Sequence, residues 1–214
     1  MTEHPATLAG ATLDEVRRAA LGCTLCPLAT QGRRQVVFGV GDPHADLMFI
    51  GEGPGEQEDL QGEPFVGRAG KLLTQLIEGI GLTRDDVYIA NVVKCRPPGN
   101  RDPLPVEIDT CAPWLDRQLE LVHPKIVMTL GNFATKLLLS TSVGITKLRG
   151  QEFELERAGL QLIVIPTLHP SAVLRGGGRP LAETRADFVA VKRRLSSRGA
   201  SFDHHIARSN DAPD

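Results

Sequence analysis

Four short, almost unbroken apolar runs divide the chain: "LMFIG" (47–51), "VYIANVV" (87–93), "KIVMTLG" (125–131) and "LIVIPT" (162–167). Each lacks the polar alternation of a half-exposed strand, so each is predicted to be a strand buried on both faces. Helical periodicity fills the intervals. Leu72, Leu73, Leu76, Ile77 and Ile80 form one stripe, closed by Gly81. Helices are also predicted near 13–20, over 105–122 and 132–139, and over 181–195 with Phe188, Val189 and Leu195 inward. The segment "FELERAGLQLIVI" predicts a hairpin that adds an antiparallel strand.

Strand and helix alternate, which predicts an α/β fold around a mostly parallel central sheet. In such sheets ligands sit beyond the carboxyl ends of the strands. Those ends carry "GEGPG", "NVVKC", "LGN" and "TLHPS", so these loops are expected to share one crevice. The polar segment from Ser196 onward has no apolar period and is predicted to be disordered. That leaves a single domain over 1–195.

Composition adds limits rather than direction. The hydrophobic share of 41% is enough for a real core, and 22 glycines with 15 prolines predict long ordered loops. The net charge of −2 announces no general nucleic-acid binder, so any basic face must be local. Arg33, Arg34, Lys94, Arg96, Lys147 and Arg149 are its candidates. The first residues show no signal-peptide pattern, and no window reaches the length of a membrane span. A cytoplasmic protein is expected, with its four cysteines unlinked by disulfides.

Gly70-Lys71 suggests a phosphate loop, but the spacing excludes it. The position that needs the first glycine holds Phe65, and Leu72 replaces the required Ser or Thr. Glu52, Glu56, Glu58 and Asp59 would also oppose a triphosphate. The cysteines are more telling. Cys23 and Cys26 have ligand spacing, and Cys95 and Cys111 complete a four-thiolate set. Zinc and iron–sulfur both suit it; the wide second pair leans toward a 4Fe–4S cluster.

The segments "GEGPGEQEDLQGEPFVGRAGKLL", "NVVKCRPPGNRDPLP" and "HPSAVLR" resemble the signature segments of family-4 uracil-DNA glycosylases, the bacterial and archaeal iron–sulfur group. The resemblance runs from about Cys23 to Lys192. It implies a three-layer α/β/α sandwich, a structural 4Fe–4S cluster on Cys23, Cys26, Cys95 and Cys111, and removal of uracil from DNA. In that frame Phe65 stacks on the base and Asn91 reads its N3–H and O4. Backbone groups of Glu52, Gly53 and Pro54 edge the ring, and His169 donates to O2 as negative charge grows there. Better-known relatives carry an acid where this chain has Gly53, so Glu52 or Glu58 is expected to position the water. Val173 or Leu174, in a loop expected to be exposed, would fill the vacated base stack, with Ser171 and Arg175 meeting phosphate. Two rivals stand beside this. One is a metal-bearing nucleic-acid-binding module without turnover. The other is a relative that traps uracil covalently through an added histidine, which "RPPGNRDPLP" lacks. A monomer is expected, because gripping one base needs no partner subunit.

Overall fold

The computed structural model describes Pro5 and residues 8–197. Its sheet has six strands in the order β1-β3-β2-β4-β6-β5. The four central strands are β2 (Leu47–Gly51), β3 (Tyr88–Asn91), β4 (Ile126–Leu130) and β6 (Leu160–Thr167), all parallel. Both edges are antiparallel: β1 (Val40–Gly41) on β3, and β5 (Phe153–Arg157) on β6. The second of these is the hairpin read from the sequence. The first, only two residues long, carries no apolar signal of its own.

Residues alternate between two cores. Met48, Ile50, Tyr88, Ala90, Val127 and Val164 face one layer. It contains α1 (Leu13–Leu21), α4 (Pro105–Val122) and α5 (Asn132–Leu138). Phe49, Ile89, Ile126, Met128, Ile163 and Ile165 face the other. It contains α3 (Arg68–Glu78), α7 (Pro170–Gly176) and α8 (Gly178–Ser197). The result is the expected α/β/α sandwich. A short α2 (Glu56–Gln61) and α6 (Ile145–Leu148) lie in the loops.

Local chemistry starts and stops these elements. Thr12 caps α1 through a reciprocal capping box with Glu15. Proline stands in the first turn of α4 and of α7, where its missing N–H costs nothing. The α3 stripe buries Leu72, Leu73, Leu76 and Ile77 as predicted. In α8, however, Val189 is exposed and Val191 is buried with Phe188 and Leu195. The spacing of 188, 191 and 195 is the true helical period, and Val189 lies about a quarter turn off it.

Three further expectations change. "HPSAVLR" is not an exposed loop, because Pro170 initiates α7 there, and Val173 is 2% exposed within the second core. Leu174, at 44%, is the apolar residue left at the surface. Lys94 belongs to no basic face, being fully buried, while Arg149 is tied to Asp187. The predicted tail begins inside α8, which continues to Ser197; residues 198–214 lie outside the described residues.

One polar cluster ties α8 to the end of β6. Asp187 accepts from Thr167 Oγ1 at 2.7 Å and from Arg149 Nη2 at 2.6 Å. Replacing it with Ala leaves the buried Thr167 hydroxyl without its partner and the Arg149 guanidinium with the Glu183 carbonyl but no carboxylate. Asp187→Ala is expected to lower unfolding free energy by about 2 kcal/mol, in the range for hydrogen bonds to charged groups. Urea denaturation of the two proteins measures it.

Candidate active site

The carboxyl ends of β2, β3 and β6 surround a cavity of about 420 Å³. Its lining includes Glu52, Gly53, Pro54, Phe65, Asn91 and His169, with Ser171 and Arg175 at its side. A second cavity of about 720 Å³ shares Glu52, His169, Ser171 and Arg175 and continues past the end of β4 along α5. The structure thus brings together every residue that the sequence assigned to base binding. Three strand ends and the loops that follow them contribute, from positions more than 100 residues apart.

Gly51 is the pivot. A Cβ built on it would lie 2.5 Å from Asn91 Oδ1 and 2.6 Å from the Phe65 ring. Only a hydrogen at that position lets the amide and the ring meet across the end of β2. Phe65 itself adopts a left-handed backbone, with φ of 56°. For a bulky residue that conformation costs about 1–3 kcal/mol. Arg84 holds it there, donating to Pro64 O at 2.9 Å and to Phe65 O at 3.3 Å. The Phe65 ring lies 5.7 Å from the His169 ring, tilted by 36°. Aromatic surface therefore forms one wall of the cavity.

Asn91 closes β3 and is 2% exposed, yet its Oδ1 has no hydrogen-bond partner. A buried acceptor without a donor is unfavourable, and in a cavity wall it marks where a ligand N–H belongs. His169 is ordered in the opposite sense. The backbone N–H of Ser171 donates to its Nδ1 at 3.1 Å, and Ser171 Oγ lies 2.7 Å away. Nδ1 must then be the acceptor, which places the proton of the neutral ring on Nε2. Burial, followed by the nearby Arg175, pulls the His169 pKa from 6.5 down to about 4. At neutral pH the cavity therefore contains an uncharged donor.

The two glutamates separate. Glu58 spends both oxygens on the loop. Oε2 accepts from Gly55 N at 3.1 Å, and Oε1 from Val66 N and Gly67 N at 3.0 Å each. It clamps the Phe65 loop to α2 with three backbone donors, so of the two candidates for positioning water it is the one already engaged in holding structure. The Glu52 carbonyl accepts from Val93 N, but its carboxylate makes no hydrogen bond or ion pair among the described residues. Burial, then the neighbouring Asp102, raises its pKa above 4.5. At Gly53, where an acid was missed, a Cβ would approach Val93 Cγ2 to 2.7 Å. The backbone here has no room for a side chain.

The sequence did not flag the buried carboxylates that order the surrounding loops. Asp59 accepts from Arg34 N at 2.9 Å, and Glu107 accepts Arg101 Nη2 at 2.6 Å and Leu104 N at 2.8 Å. Both stand in helix first turns, and their burial became visible only with the fold.

The four cysteines lie in one neighbourhood. Cys95 feels the charge of Cys26 and Cys23, and Cys111 that of Cys95 and Cys26. Burial pushes the Cys95 thiol up to about 11 and Cys111 to about 12. Among the described residues no three metal-ligating side chains are drawn into a closed coordination group. The donor set nonetheless fits a thiolate-bound group. Leu28, Val36, Cys26 and Cys95 form a small apolar cluster, and Arg33 donates to Cys95 Sγ at 2.8 Å and to Cys23 O. Arg33 is thus committed to the thiols rather than to a DNA-facing surface.

His169 sets a pH test of the structure itself. The unfolded chain gains a proton on this imidazole below pH 6.5, whereas the folded chain resists until about pH 4. The neutral ring's contribution to stability is therefore lost as pH falls from 6.5 toward 4. Urea unfolding at pH 7.5 and pH 5 is expected to show a smaller acid loss in His169→Gln than in the parent. Equal losses would refute the buried neutral imidazole.

The uracil DNA glycosylase superfamily model matches residues 38–195. A type-4 uracil-DNA glycosylase of Sulfurisphaera tokodaii is 49% identical over 168 residues, covering 76% of each chain. One from Archaeoglobus fulgidus is 46% identical over 167 residues, covering 76% of this chain and 83% of the relative. A type-5 uracil-DNA glycosylase of Pyrobaculum aerophilum is more distant, at 32% over 164 residues. A pocket of Phe65, Asn91 and His169 at the strand ends of an α/β sandwich, a match across most of the chain and these relatives lead to one assignment: the chain belongs to the uracil-DNA glycosylase superfamily.

Proposed function

We propose that this chain hydrolyses the N-glycosidic bond of uracil in DNA, acting as a monomer on a base flipped out of the stack. One observation carries the reading: the buried, unpartnered Asn91 Oδ1 in the same cavity as Phe65 and the His169 Nε2–H. Uracil offers a donor at N3 and an acceptor at O4, which the Asn91 amide complements. Cytosine reverses that pattern and would leave two groups unpaired at the bottom of the cavity, a large discrimination in a dry site. Phe65 supplies the stacking face, worth about 1–3 kcal/mol per base. Backbone groups of Glu52, Gly53 and Pro54 border the remaining edge.

As the C1′–N1 bond breaks, its electron pair leaves with the base, and negative charge spreads onto O2. A neutral imidazole already oriented toward the cavity donates to that oxygen without reorganising. The sugar gains positive character, and the unpaired Glu52 carboxylate is placed to stabilise it and to position the attacking water. The enzyme acts as a monofunctional glycosylase in this reading: among the described residues the base cavity is lined by no lysine, Lys136 lying in the adjoining one. Leu174 is the residue suited to filling the vacated stack, with Ser171 and Arg175 beside the strand.

Cys23, Cys26, Cys95 and Cys111 would hold a 4Fe–4S cluster, which when bound cross-links the first loop to the segment after β3. Iron analysis with visible absorption separates this iron–sulfur reading from a zinc-bearing binding module.

The decisive experiment is release of free uracil from a uracil-containing oligonucleotide. Under single-turnover conditions His169→Ala is expected to slow release by about 10²–10³-fold, the usual cost of one donor to a developing anion. In the parent, the rate should fall as pH drops through the raised Glu52 pKa. Glu52→Gln should be slower and should lose that acid limb. Binding of the oligonucleotide with no uracil released would reject the enzyme reading.

A further inference from the structure

Lys94 is a fully buried lysine with no carboxylate partner, a costly arrangement that the core does not require. Its surroundings explain it. In the β2–β3 ladder Val92 N donates to Gly51 O, so the backbone carbonyl of Asn91 faces the opposite edge of β3. On that edge β1 pairs only with Tyr88 and Ile89. The ladder is broken at Gly39, whose φ is 151° and where a Cβ would lie 2.8 Å from Gln118 Nε2. Asn91 O therefore has no strand partner.

Two side chains complete the broken ladder. Gln118, from α4, donates through Nε2 to Phe38 O at 2.8 Å and to Tyr88 Oη at 3.1 Å. Its Oε1 accepts from Lys94 Nζ, which also donates to Asn91 O at 2.6 Å. The backbone of Lys94 is held as firmly. Its N–H donates to Cys111 Sγ at 3.3 Å, and its carbonyl accepts from Val37 N at 2.7 Å. The chain of bonds thus joins Cys111, Lys94, Gln118 and the backbone of the residue whose side chain faces the base cavity.

We propose that Lys94 is a positioning residue: it holds the Asn91 backbone at the end of β3, so that the Asn91 amide meets the base edge-on. The inference rests on the uracil-excising reading of this pocket. Asn91 stands two residues beyond Ile89, the last residue of β3 that pairs with β1; the peptide after it is held toward β2 by the Val92 N–H on Gly51 O and on the other side by the Lys94 ammonium on its carbonyl. A loss of this bond lets the strand end rotate, and the amide moves with it. Misplacement of a reacting or orienting group by about 1 Å costs about 10²-fold in rate.

The test is a double-mutant cycle on single-turnover uracil release, using Lys94→Met, Asn91→Ala and the double variant. Each is checked for iron content and melting temperature. Lys94→Met is expected to slow release by about 10²-fold in the parent background and to cost almost nothing further in the Asn91→Ala background. Its KM is expected to change less than its kcat. Gln118→Met provides a second route if Lys94→Met fails to fold; it should show the same dependence on Asn91 with a smaller loss. Multiplicative losses in the double variant would overturn the proposal. So would a parent-like rate in Lys94→Met accompanied only by a lower melting temperature. A parent protein that releases no uracil sinks the function reading instead, and a parent that works while Lys94→Met works equally well sinks only this inference.

Discussion

The site depends on one close approach, that of Phe65 and Asn91 over the missing side chain of Gly51. A loop phenylalanine and a strand-end asparagine meet at the end of a buried strand, and a single methyl would push them apart. Everything else is arranged to sustain that meeting. Arg84 fixes the strained backbone of Phe65, Glu58 ties its loop to α2, and Lys94 takes the carbonyl of Asn91. The approach leaves Asn91 Oδ1 dry and unpaired, a cost that a ligand N–H can offset.

The polar groups of this protein do their work from inside. Asp59, Glu107, Asp187 and Lys94 are all nearly inaccessible, and all bond to loop backbone or to strand-end groups near the site. Long ordered loops carry backbone donors and acceptors that no ladder satisfies, and buried side chains are the remaining partners. Such loops explain the high glycine and proline content more directly than turn propensity alone.

The thiols belong to the same scheme. Arg33 bridges the first cysteine loop to Cys95, and the Lys94 N–H meets Cys111 Sγ. The cysteine neighbourhood therefore abuts the backbone of β3 rather than standing apart as an accessory. Order in the thiol region and order at Asn91 share bonds.

How much was legible beforehand depends on the range of the signal. Strands β2, β3, β4 and β6 were read from continuous apolar runs, because burial on both faces leaves no other composition. The α3 stripe was read from its period. The cavity residues Phe65, Asn91 and His169 were found through strand-end position and resemblance, since ligands gather where parallel strands end. Beyond that, local pattern was silent or misleading. Val173 looked like a wedge because the helix started by Pro170 was not recognised, and its burial against α3 and α8 is set by packing. Lys94 looked like a surface cation because lysine usually is one. Only the gap left by a two-residue β1, and the glutamine that α4 brings to it, make burial of an ammonium favourable. Glu58 and Glu52 look alike in the sequence, and the folded loop alone gives one three backbone donors and leaves the other free. The chain's own letters determined its layers, its strands and the residues available to a base. Tertiary structure decided which charges are buried, which carboxylate is unpaired and which surfaces remain open, because those depend on contacts between segments far apart in sequence.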